Sequence, residues 1–109
     1  MESDFRKELI NSHNQLFSPE SDSKLKQLLE NAGHSTVKAY VLDWIPHQTE
    51  DIFTVLIDGK YLVRTEIDRF DQASQAVVER QEIKSYLKGL SRINQVRLLV
   101  AQDLANEKT

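Results

Sequence analysis

Between Thr36 and Arg69 the side-chain period is two. In YLVRTEIDR, Val63, Thr65 and Ile67 share one face while Arg64, Glu66 and Asp68 share the other, the alternation a strand imposes because successive side chains leave opposite sides of the pleat. DIFTVLI precedes this run across Asp58-Gly59. Asp-Gly between strand-like runs signals a hairpin, since both central residues of the favoured turn need positive φ. TVKAYVLDWI is rich in β-branched and aromatic residues and stops at Pro46, which cannot donate to a ladder. The expectation is a three-stranded antiparallel β-meander, with residues 46–50 as a loop between the first two strands. Strict alternation puts Trp44 on the face of Tyr40 and Leu42, with Val41 and Ile45 on the other.

Helical periods flank this region. Phe5, Leu9 and Leu16 share a face, with Ile10 and His13 beside it, and a second stripe runs through Leu25, Leu28, Leu29 and Ala32. SPESDS separates them, with Ser18 the expected N-cap ahead of Pro19, and Gly33 stands where a left-handed C-cap residue is expected. FDQASQ reads as a turn with Asp71 or Ser74 as a cap. From about Ala76 to Asn106 the pattern is helical, through Ile83, Leu87, Leu90, Ile93, Leu98, Ala101 and Leu104. Gly89 costs about 1 kcal/mol relative to alanine in a helix, so the stretch either tolerates it or breaks there, with Ser91 capping the next helix; the break is favoured. The fold class is therefore α+β: an N-terminal helical hairpin, the meander, and one long or broken C-terminal helix packed on the sheet, with the helices on one sheet face.

Length and composition bound the function. A chain of 109 residues is one domain over 1–109, and 39% hydrophobic with 28% charged residues is globular. The absence of cysteine excludes disulfides and thiolate chemistry. No apolar run reaches the roughly 18–20 residues of a membrane-spanning helix, and MESDFRKELINS has no apolar signal-like core. A soluble, cytoplasmic protein without a membrane partner is expected. The formal charge is −3, but residues 1–59 carry five Lys/Arg against ten Asp/Glu and residues 60–97 carry eight against five. An acidic first half suits a basic partner and does not favour nucleic acid.

Four constellations are candidates for function. WIPHQTED would present Trp44, His47, Glu50 and Asp51 from a loop, with the tryptophan as anchor and the acids as rim. Asp43, Glu66 and Asp68, with Arg64 or Lys60 nearby, would form a magnesium-type carboxylate cluster if the registers allowed it. His13, His34 and His47 lack the spacing of a helical zinc site, and three glycines leave no phosphate-loop or dinucleotide fingerprint. Arg80, Lys84, Lys88 and Arg92 would line one strip of an unbroken helix and meet phosphates, although Glu79 and Glu82 stand close by. The reading is a small non-catalytic protein–protein interaction module of antitoxin, immunity or adaptor type, with no cofactor and no metal. Its partner is an unidentified, basic protein, and a homodimer is compatible with it. The alternatives are a nucleic-acid-binding accessory protein using the basic C-terminal helix and a small metal-dependent hydrolase.

Overall fold

The computed structural model describes residues 2–70 and 76–107; the expected cap at Asp71 or Ser74 lies outside them. The order is α1 (Glu2–Phe17), α2 (Lys24–Asn31), β1 (Ala39–His47), β2 (Glu50–Ile57), β3 (Tyr61–Asp68), β4 (Val77–Gln81), α3 (Ile83–Leu87) and α4 (Arg92–Glu107). The strands form one antiparallel sheet in the order β1-β2-β3-β4 among the described residues. The α+β architecture is as expected, with one strand more. Val77 and Val78 pair with Glu66 and Thr65 on the far side of β3. Pairing satisfies backbone groups that β3 would otherwise leave open, and this overrides the helical period that begins properly at Ile83.

The N-terminal hairpin closes through serines. Ser21 and Ser23 hydroxyls both donate to the Leu16 carbonyl, at 2.8 and 2.7 Å, satisfying an end group of α1. The N-cap of α2 is Ser23, which accepts from the Lys26 amide at 3.1 Å, and not Ser18, whose carbonyl instead closes a turn with Ser21. At the other end Gly33, with φ 91°, donates to Glu30 while His34 donates to Leu29, the paired bonds of a left-handed helix stop. The C-terminal helix breaks as favoured: α3 ends at Leu87 and Ser91 Oγ accepts from the Asn94 amide at 3.2 Å to start α4.

Asp58 and Gly59 both have positive φ, at 56° and 69°, and Lys60 N–H closes the turn onto Ile57 at 3.0 Å. Gly59 is doubly required, because a Cβ there would sit 3.3 Å from Ala105 Cβ on α4. The β1–β2 connection is tighter than the expected loop. β1 runs on through Pro46 to His47, β2 starts at Glu50, and only Gln48-Thr49 turn. Proline is tolerated because β1 is an edge strand.

Helices cover both sheet faces at one end, not one face as expected. Tyr40, Leu42, Leu56 and Leu62 pack with Phe5 and Leu9 of α1 and with Leu98, Ala101 and Leu104 of α4. Ala39, Val55, Ile57 and Val63, their immediate neighbours in sequence, pack with Phe17 of α1 and with Leu25 and Leu29 of α2. Each fully buried Leu, Ile, Val or Phe among them contributes roughly 1.5–3 kcal/mol. α1 serves both cores because it crosses the β1 edge, where His13 Nδ1–H donates to the Ala39 carbonyl at 2.7 Å. A carbonyl only accepts, so this bond fixes the ring's protonated nitrogen. The imidazole also stacks on Tyr40, at 5.0 Å between centroids.

Strict alternation fails once, and there it matters. Val41 pairs with Val55 but Asp43 pairs with Thr54, so Leu42 is an extra residue in β1. Such a bulge leaves one residue unpaired and exchanges the faces of everything beyond it. Trp44 therefore sits opposite Phe53, on the face of Val41 and Val55, and not with Tyr40 as its position implied.

Candidate functional site

Past the bulge the sheet outruns its helices. Trp44 is 59% exposed, yet it is held. Its indole lies parallel to the Phe53 ring, with centroids 6.0 Å apart and 7° between planes. Its Nε1–H donates to Asp51 Oδ1 at 3.1 Å, and Arg69 Nη1 donates to the same oxygen at 2.8 Å. Arg69 is anchored in turn: its guanidinium donates to the carbonyls of Glu50, at 3.1 Å, and Gln48, and its amide donates to Thr49 at 2.8 Å. A charged, half-buried pair thus fixes the indole from one side and an aromatic ring from below.

The four residues singled out by sequence do not act as one loop. Trp44 and Asp51 meet on one sheet face. His47 and Glu50 pair across the turn and alternate to the opposite face, beside Ile45 and Ile52. The residues that complete the Trp44 platform, Phe53 and Arg69, were missed, since only the register places them beneath and beside the indole.

Next to the platform a groove of about 710 Å³ runs between α1 and the outer edge of β1. Glu8, Asn11, Ser12 and Gln15, which recur with the helical period on one side of α1, form a polar wall. Leu9, Leu16, Val41, Leu42, Trp44 and Phe53 supply apolar surface, with Asp43 at the rim. Arg97 also lines it but is engaged. It donates to the Leu42 carbonyl at 3.3 Å, lies 3.6 Å from the Glu8 carboxylate and sits over the Phe5 ring at 4.7 Å. The Asp43 carboxylate makes no hydrogen bond or ion pair among the described residues. Its charge does reach Tyr86, whose hydroxyl pKa is raised by burial first and Asp43 second, with Arg97 opposing.

The other constellations come apart. Arg80 lies on β4, its guanidinium 4.0 Å over the Tyr61 ring; Lys84 is on α3, Lys88 in the turn after it and Arg92 at the start of α4. There is no common helix and so no basic strip. Asp43 stands in the cross-strand row Asp43–Thr54–Arg64–Glu79, and Glu66 in the next row with Ile45, Ile52 and Val77. Thr54 and Arg64 separate the carboxylates, and Asp68 caps the Phe70 amide at 2.8 Å. Among the described residues no three acids or histidines are grouped to hold a metal ion. His34 Nδ1 is 2.7 Å from the Tyr61 hydroxyl. No helix among the described residues is long and apolar enough to cross a membrane.

No protein-family model, curated protein or solved structure matches this chain.

Proposed function

We propose that the chain is a non-catalytic protein–protein interaction module, docking its partner on the Trp44 platform and the adjoining groove. One observation carries this: the single tryptophan is displayed and rigid at once. A large aromatic already fixed in one orientation loses little freedom on binding, which is how aromatic anchors come to dominate interfaces. The display is specific, because the bulge at Leu42 turns outward a side chain that unbroken alternation would have packed with Tyr40.

A photo-reactive tryptophan analogue at position 44, which keeps the indole anchor, tests the reading, with the same analogue at position 37, where Val37 is also exposed but lies outside the groove lining, as the control. In the cells that make the protein, a discrete crosslinked partner at position 44 and none at position 37 is expected. Indistinguishable crosslinking from the two positions contradicts the proposal.

A further inference from the structure

The groove beside Trp44 has a strand edge for one wall, and that determines what fits it. β1 ends the sheet, and no described strand pairs with its outer side. The first half of that side is closed by α1, by His13 on the Ala39 carbonyl and by Arg97 on the Leu42 carbonyl; past Leu42, groove replaces helix. The opposite sheet edge is guarded differently: β4 has five residues, including Glu79 and Arg80, the short, charged edge that discourages pairing. β1 has nine residues, and beyond the bulge it offers Trp44, Ile45 and Pro46. Unpaired backbone amides and carbonyls are best satisfied by another extended chain, because a helix has already consumed its own.

We infer that the groove takes an extended, basic peptide segment of the partner protein, added as a strand along β1 between α1 and Trp44. This rests on the interaction reading and gives its partner a chemistry. Strand addition puts alternate side chains of the segment into the groove. There they meet the apolar floor of Leu9, Leu16 and Phe53 and the face of the indole. Charge sets the rest. The Arg97 cation is matched by Glu8, whereas the Asp43 carboxylate has no ion-pair partner among the described residues, so a lysine or arginine in the segment completes it. Asn11, Ser12 and Gln15 on the α1 wall supply donors and acceptors for the outer backbone of the added strand. Pro46 lacks an amide, so the ladder ends near the hairpin tip.

Selection of a random nonapeptide display library on the intact protein, counter-selected on Trp44→Ala, supplies the probe. Enriched peptides carrying a basic residue among alternating apolar ones are expected. Methylating their backbone amides one by one should weaken binding about tenfold at the few amides, spaced two apart, that bond the open edge around Trp44 and Pro46, and little elsewhere. Asp43→Asn should weaken the basic peptides by about fivefold and flatten their salt dependence. Methylation tolerated throughout, or losses spaced three and four apart, overturns strand addition while leaving a crosslinked partner at position 44 intact. No Trp44-dependent peptide also overturns it. So does a concentration-dependent dimer in sedimentation that Trp44→Ala abolishes, since the occupant would then be a second copy of the chain. Loss of both the peptides and the position-44 crosslink removes the interaction reading itself.

Discussion

Tyr40 and Trp44 lie four residues apart on one strand, yet the first is 1% exposed and the second 59%. Both are large, and both have a polar group at the tip. Chain geometry separates them. Up to Val41 the strand keeps step with β2, and Tyr40 falls opposite Leu56 in the core shared with α1 and α4. Leu42 is then inserted, the facing reverses, and Trp44 emerges over Phe53 where no helix follows. Before the bulge β1 serves stability, and after it the same strand serves display.

Deleting Leu42 probes this contrast from the strand itself: alternation then runs unbroken from Tyr40 to Trp44 with the indole still opposite Phe53, while the core loses a leucine and Asp43 is drawn toward its place, a loss of about 3–5 kcal/mol in urea unfolding. Of similar size is Tyr40→Ala, expected to lose about 3–5 kcal/mol. Trp44→Ala should lose under about 1.5 kcal/mol, the scale of one ring–ring contact, while removing partner binding. Equal losses at the two positions would mean the aromatics are not differently employed. Thr65 sharpens the picture from beneath: it stands one strand beyond Phe53 on Trp44's own face, fully buried, and its hydroxyl has no hydrogen-bond partner among the described residues. Thr65→Val should therefore raise stability by about 1 kcal/mol by removing an unsatisfied buried hydroxyl. A loss of similar size would mean that the hydroxyl is bonded.

The smallest expected effect is alkaline. Burial raises the Tyr40 pKa above its ordinary 10.0, with Glu107 adding to it and Arg6 opposing, and Tyr86 is raised likewise. The folded chain then holds these protons more tightly than the unfolded one. Stability is therefore full below pH 10 and falls as pH rises through the folded values. Melting temperatures taken above pH 9 should decline, and less so in Tyr86→Phe. Trp44, having no proton to lose there, contributes nothing to the slope.

Much of this fold was legible in the sequence because local rules agreed with one another. Asp58-Gly59 announced its turn through the positive φ both residues adopt, Gly33 its helix stop, and Val63, Thr65 and Ile67 their buried face. What escaped was set by distant pairing. β4 was hidden because Val77 and Val78 are extended only by virtue of the open side of β3, while the helical period just downstream was locally stronger. The same helix-for-strand reading joined Arg80 to Lys84, Lys88 and Arg92. The bulge was invisible, since nothing in AYVLDWI marks Leu42 as supernumerary; it exists in relation to Val55 and Thr54. Trp44, singled out from the sequence, is exposed, but the residues that hold it, Phe53 and Arg69, lie on two other stretches of chain that only the register brings together.

A docking surface exists only if the indole faces outward over Phe53, and ring-proton nuclear Overhauser contacts report that directly. Contacts from the Trp44 indole to the Phe53 ring, together with a cross-strand Trp44–Phe53 backbone contact, are expected. Contacts from the indole to Leu56 and Leu98, on the Tyr40 face, would mean that strict alternation persists through Leu42, and they would contradict the displayed platform and everything proposed to dock on it.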